Sequence, residues 1–269
     1  MEYDRNKHRR SAPVTPPFEI FGADRPGRWV VTCDHASNLV PEDVNGGDLG
    51  LPASDMARHI AYDIGAEGVA RALGEALDSP VIASRFSRLV IDPNRGEDDP
   101  TLLMRLYDGS IIPANARASA AEKERRLNAY HRPYHRALGD LMATRNAPVL
   151  LSIHSFTLQL AGRGKRPWQM GILSAYDRRL TDALMVALGD PPFSTWVEQV
   201  SGTGFVLGDN QPYSGHLPGD AVDRHALHHG HLNALIEIRN DLIETPSQQR
   251  AWAGQLAEPL KTALATTSE

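Results

Sequence analysis

Short apolar runs alternate with longer amphipathic stretches along this chain. Trp29–Cys33 (WVVTC), Pro80–Ala83, Leu89–Ile91, Pro148–Ile153 (PVLLSI), Gln169–Leu173 and Ala234–Ile238 (ALIEI) are apolar runs of strand length. Ser54–Leu77 spaces Ile60, Ile64, Val69, Leu73 and Leu77 roughly as one helix face would. Ala118–Arg145 reads as a long helical stretch interrupted at Pro133, and Asp177–Leu188 and Pro246–Leu264 as further helices. Strands alternating with helices of this length require crossover connections. They predict a single α/β domain over 18–269, with a mixed, mostly parallel sheet and helices on both faces. Residues 1–17 (MEYDRNKHRRSAPVTPP) lack an apolar pattern and are expected to form a loosely ordered arm.

In a parallel sheet, ligands bind beyond the carboxyl ends of the strands. Four of the predicted strands end in reactive groups. The first run leads into Asp34, His35 and Asn38; the run ending at Ile91 leads into Asp92, Asn94 and Arg95. The third ends at His154 and Ser155, and the last contains Glu237 with Arg239 beyond it. A carboxylate inside a run as apolar as ALIEI is costly unless it is paired or functional. Glu237 and Arg239, two apart, share one strand face.

Composition sharpens this picture. With 28 basic and 33 acidic residues the net charge is -5, which argues against nucleic acid or an anionic membrane as the main partner. One cysteine, Cys33, excludes intrachain disulfides and cysteine-only zinc modules, whereas 11 histidines leave imidazole-based metal binding open. No run approaches the length of a membrane span and the N-terminus has no apolar leader core, so a cytoplasmic location is expected. Two histidines, two carboxylates and an Asn-Arg pair would suit metal-assisted amide hydrolysis. A metal acidifies water and polarises a carbonyl, a free carboxylate shuttles a proton, and an arginine fork grips a substrate carboxylate.

The segments DHASNLVP (34–41), SRLVIDPNR (87–95), LLSIHSF (150–156) and ALIEIRNDLI (234–243) together resemble the N-formylglutamate amidohydrolase family. That family in turn resembles zinc carboxypeptidases. There a Ser-Ile-His-Ser segment carries a zinc ligand, an Asp-x-Asn-Arg segment clamps a carboxylate, and a Glu-x-Arg segment carries the catalytic glutamate. The matching positions here are Ser152–Ser155, Asp92–Arg95 and Glu237–Arg239.

The resemblance implies a carboxypeptidase-like α/β fold and one Zn2+ per chain, held by His35 and His154. It implies Glu237 as general base, and Asn94 and Arg95, with Arg88 or Arg239, as substrate-binding residues. The implied reaction cleaves a small anionic N-acyl amino acid, N-formyl-L-glutamate first among them, without nucleic acid or membrane as partners. Self-association stays open.

The chain departs from the carboxypeptidase pattern at Asn38, which stands where a zinc-binding glutamate would be. Asp55, at the start of the predicted helix, is the expected third ligand, with His59 one turn later as second choice. Two other readings stand beside this one: hydrolysis of another N-acyl amino acid or a peptide terminus, and a carboxylate-binding homologue that has lost its metal. His131 and His135 have metal-binding i, i+4 spacing but lack the adjacent glutamate of metalloprotease helices.

Overall fold

A computed structural model describes residues 16–267. The first strands are β1 (Phe18–Phe21) and β2 (Trp29–Cys33), followed by α1 (Ala53–Met56), α2 (Ala66–Ala76) and β3 (Val81–Ser84). A small ribbon of β4 (Leu106–Tyr107) and β5 (Ser110–Ile111) precedes α3 (Pro113–Ala116), α4 (Ala120–Arg126) and α5 (Arg132–Ala143). Then come β6 (Val149–Phe156), β7 (Met170–Leu173), α6 (Arg179–Gly189), α7 (Phe193–Ser201) and β8 (Leu207–Asp209). The chain closes with α8 (Ala221–His225), β9 (Leu232–Arg239) and α9 (Pro246–Thr266).

Seven strands form one sheet in the order β1-β3-β2-β6-β9-β7-β8. The central β3, β2, β6 and β9 run parallel, while β1 and the β7–β8 pair run against them. β6 and β9 are buried along their whole length, as expected of strands covered on both faces. On one face α2, α6, α7 and α9 pack around Val31, Leu151, Ile236 and Trp252. On the other, α5 and α8 cover Val30, Leu150 and Leu235. The single α/β domain with a mixed, mostly parallel sheet and helices on both faces is therefore as expected. Among the described residues no helix is long and apolar enough to cross a membrane. The arm expected over 1–17 lies, as far as residue 15, outside the described residues.

Three expectations about elements are corrected. The helix predicted over 54–77 is two helices, α1 and α2, joined by turns through 57–65. Gly65 explains the break: its φ is 80°, and a Cβ there would stand 2.2 Å from the carbonyl oxygen of Ile243. Leu89–Ile91 is buried but is not a strand. Its carbonyls accept side-chain donors instead, Leu89 from Asn115 Nδ2 and Val90 from Arg126 Nη1. The 118–145 stretch is α4 and α5 joined by a π turn at Leu127–His131, and Pro133 sits in the first turn of α5.

α9 starts with a capping box between Thr245 and Gln248 and buries Trp252 against Phe193 and Trp196. Trp252→Ala is expected to cost about 3–5 kcal/mol, because the cavity left by a fully buried indole cannot close. Urea unfolding of the two proteins checks this.

Candidate metal and active site

The parallel strands deliver their side chains to one edge. β2 runs straight into Asp34 and His35, both buried. His154 on β6 is in register with Glu237 on the adjacent β9, so the two side chains stand side by side on one face. Asp63 enters from the turn ahead of α2, its amide donating to the His35 carbonyl at 2.9 Å. His35, Asp63 and His154, all buried, offer ligand atoms within 4.8 Å of one another.

The hydrogen bonds determine which ring atoms face inward. His35 Nε2 lies 2.7 Å from Asp92 Oδ1 and His154 Nε2 lies 3.2 Å from Asp34 Oδ2. A carboxylate only accepts, so each Nε2 is a donor, and in a neutral ring the lone pair then sits on Nδ1. Both Nδ1 atoms turn to Asp63 Oδ2, at 3.3 and 2.7 Å. Three acceptors therefore converge on one point, where only a cation or protons can satisfy them. The outer carboxylates are the second tier that metal-binding imidazoles usually have.

Charge points the same way. Asp34, Asp63 and Asp92 contribute three negative charges, and buried Arg88 returns one through Asp92 Oδ2 at 2.8 Å and Asp63 Oδ1 at 3.5 Å. The remaining two suit a divalent ion, so the residues present fit a metal. Burial alone would raise the Asp34 and Asp63 carboxyls, but the two imidazoles outweigh it and hold both below the usual range. At Glu237 burial dominates, with the Asp63 charge adding to it, and raises the carboxyl to about 8. Glu237 Oε2 has no hydrogen-bond partner.

These groups line a cavity of about 270 Å³ together with His59, Arg88, Arg95, Tyr107, Tyr213 and Asp220. Of the residues expected at the site, His35, His154, Glu237, Arg88 and Arg95 are brought together. Asp55 is not: it accepts from Ser110 Oγ at 2.8 Å and Arg58 Nη1 at 3.1 Å, and Asp63 occupies the position expected of it. The helix break accounts for the exchange, since it takes Asp63 off the face it would share with Asp55. His59 lines the cavity outside the ligand cluster, and Asn38 is exposed, tethering the Met56 carbonyl. Arg239 is bound to Asp241 at 2.7 Å and does not line the cavity. Asn94 is buried beside Asp92, with its Oδ1 unpartnered.

Arg166, which sequence reasoning did not single out, stands behind the cavity wall and is not itself part of its lining. Its guanidinium lies over the rings of Phe156 and Tyr213, two residues of the cavity wall, and Nη1 donates to the Tyr213 hydroxyl and the Thr157 carbonyl. Among the described residues no carboxylate pairs with Arg166 or Arg95. Nothing in the run RGKRP marks one of its arginines as special; only the folded loop separates Arg166 from its neighbours.

Fold and site define a class: an open α/β domain that gathers two histidines and a carboxylate beyond its parallel strands. The family model for N-formylglutamate amidohydrolase matches residues 27–244, and the chain belongs to that hydrolase family. Gene product Atu2144 of Agrobacterium tumefaciens is similar at a TM-score of 0.83 and 34% identity, over 94% of this chain and 96% of that one. The N-formylglutamate amidohydrolase of Ralstonia eutropha JMP134 shares the fold at a TM-score of 0.62 and 22% identity, over 93% and 98% of the two chains. Among curated proteins no sequence match is found.

Asp220 supplies a prediction. It caps α8 and is raised by burial to about 6. A carboxyl raised on folding favours the fold while protonated. Its contribution is complete below the unfolded value of about 3.9 and is lost as pH rises through the folded one. Asp220→Asn keeps a capping oxygen and cannot ionise. It is expected to be more stable than the parent at about pH 8, by up to roughly 2 kcal/mol, and no more stable at about pH 4. Thermal melts at both pH values check this.

Proposed function

We propose that this protein is a zinc-dependent amidohydrolase of N-acyl amino acids, with N-formyl-L-glutamate as substrate and formate and L-glutamate as products. One observation carries the reading: Glu237, a buried carboxylate with an unpartnered oxygen, stands in register beside His154 in the His35–Asp63–His154 cluster. Two imidazoles and one carboxylate are a common catalytic zinc set. Such an ion, when bound, acidifies water and polarises a carbonyl.

The chain's own residues do the rest. Glu237 accepts a proton from the attacking water and returns it to the leaving nitrogen as the C–N bond breaks. Its pKa, raised by burial, suits a group that must both take and give a proton near neutrality. Asp34 and Asp92 hold the imidazoles in the Nε2–H tautomer. Arg88 is committed to Asp63 and Asp92, so we assign it to the ligand scaffold and not to the substrate. Arg95, which lines the cavity without a carboxylate partner, takes the α-carboxylate, with Asn94 beside it. Arg166 has its Nε–Nη2 edge unbonded among the described residues, and this edge pairs side-on with a carboxylate. It is available for the second carboxylate of an acidic substrate.

Acid release, formate from N-formyl-L-glutamate and N-formylglutamine and acetate from N-acetylglutamate, tests the substrate; a chelator should abolish it and zinc restore it. Glu237→Gln is expected to keep the metal and lose roughly 10²–10⁴-fold in kcat. Undiminished turnover in that variant would remove Glu237 from the mechanism. Asp63→Ala should purify without metal and Asp55→Ala with it, as read by elemental analysis. Arg166→Met should raise KM about tenfold for N-formylglutamate and leave that for N-formylglutamine nearly unchanged. An equal effect on both substrates would exclude it as a carboxylate contact.

A further inference from the structure

Three histidines, His131 and His135 buried and His225 half-buried, remain outside the hydrolytic scheme. His131, at the end of the π turn, and His135, in α5, lie on one side of the helix with their rings 4.4 Å apart. Each reaches the same short segment. His131 Nε2 is 2.9 Å from the Arg95 carbonyl and His135 Nε2 is 2.9 Å from the Pro93 carbonyl. The third, His225 of α8, stacks on His135 and places Nε2 at 3.0 Å from His135 Nδ1.

A donor and acceptor count fixes the tautomers. Carbonyl oxygens only accept, so the Nε2 atoms of His131 and His135 both carry hydrogen. His135, if neutral, then offers a lone pair at Nδ1, which must accept from His225 Nε2–H. His131 Nδ1 is buried with no partner, as a neutral ring allows and a charged one would not. Burial holds all three below the usual imidazole range. The rings are fixed neutral donors, not metal ligands: the Nε2 atoms of His131 and His135 are already spent on backbone, and that of His225 on His135 Nδ1.

The segment they hold is short and carries two tasks. Asp92 orients His35, and three residues later Arg95 lines the cavity. Asn94 between them is tied by its own amide to Asp92 Oδ1 at 2.9 Å. Two carbonyls clamped on either side of Asn94 leave this turn little freedom. The π turn is part of the device. It widens the helix by one residue ahead of α5, with the Arg132 amide bonded back to Leu127, and such bulges are frequent at functional sites. Pro133 has no amide hydrogen to commit where the bonding register changes.

We infer that His131 and His135 are positioning residues that act through Arg95, holding the 93–95 turn so that its guanidinium is ready for the substrate carboxylate. This rests on the assignment of Arg95 to that carboxylate, and the experiment keeps the two apart. His131→Leu removes the donor at similar size, whereas His131→Gln carries an amide N–H at nearly the same reach. The Leu variant is expected to raise KM about tenfold with kcat within about twofold, and the Gln variant to recover most of the loss. In an Arg95→Ala background His131→Leu should add nothing to KM, since the contact it serves is gone. A raised KM in Arg95→Ala with an unaltered KM in His131→Leu, or fully additive effects, overturns the positioning role. An unaltered KM in Arg95→Ala overturns the substrate role of Arg95 itself, whatever the histidine variants give.

A measurement without variants stands beside the kinetics. ¹⁵N-resolved imidazole spectra of the whole protein at neutral pH should show His131, His135 and His225 as neutral Nε2–H tautomers. An Nδ1–H or charged ring at His131 or His135 overturns the clamp.

Discussion

The interaction on which the rest depends is the burial of three carboxylates around two imidazoles. Asp34, Asp63 and Asp92 are nearly inaccessible to solvent, and a buried carboxylate without partners is far too costly for a fold to carry. Each is therefore met from a different part of the chain. Tyr134 of α5 donates to Asp34 at 2.6 Å, Arg88 bridges Asp92 and Asp63, and the Ser155 amide on β6 reaches Asp63. Helix, loop and strand are pinned to one point by the need to satisfy these charges. What is left over is three ligand atoms that converge on one point, an arrangement that suits a divalent ion. The stability problem and the candidate metal site are the same problem.

The sheet contributes the other half. Parallel β6 and β9 put His154 and Glu237 side by side without any special loop. The two are treated differently although they are neighbours. His154 has a carboxylate at each ring nitrogen, and the two contacts fix the orientation of its ring. Glu237 faces a cavity with no donor on Oε2, and burial raises its carboxyl. One group is locked between two carboxylates and the other keeps an unpartnered oxygen, the division on which the proposed roles of ligand and general base rest.

Much of this was legible in the sequence, because a parallel sheet converts chain position into location. His35, His154 and Glu237 each sit at or just beyond the end of a strand, and the rule for strand ends suffices to gather them, whereas Arg95 follows an apolar run that is no strand. The failures have a common cause: they depend on contacts between distant segments. Asp63 was hidden by a helical periodicity that continues through Ile60 and Ile64, and the break is imposed by the Ile243 carbonyl against Gly65, a contact between residues far apart in sequence. Leu89–Ile91 has the composition of a strand, but its carbonyls are taken by Asn115 and Arg126 from helices beyond it. Arg88, Arg95, Arg166 and Arg239 cannot be ranked by sequence at all, since what separates them is whether a carboxylate has already claimed them.

That last distinction orders the arginines more sharply than proximity does. Arg88 is the nearest of them to the ligand cluster, yet its charge is already matched by Asp63 and Asp92, and withdrawing it toward a substrate would strand two buried carboxylates. Arg239 is likewise committed to Asp241. Among the described residues Arg95 and Arg166 bind only neutral groups: Thr101 and a backbone carbonyl for one, a tyrosine hydroxyl and a carbonyl for the other. A carboxylate arriving at either gains a charge-assisted pair without breaking one. An acidic chain can thus still keep cationic groups in reserve beside a cavity, because the fold commits Arg88 and Arg239 to carboxylates and leaves Arg95 and Arg166 with neutral partners.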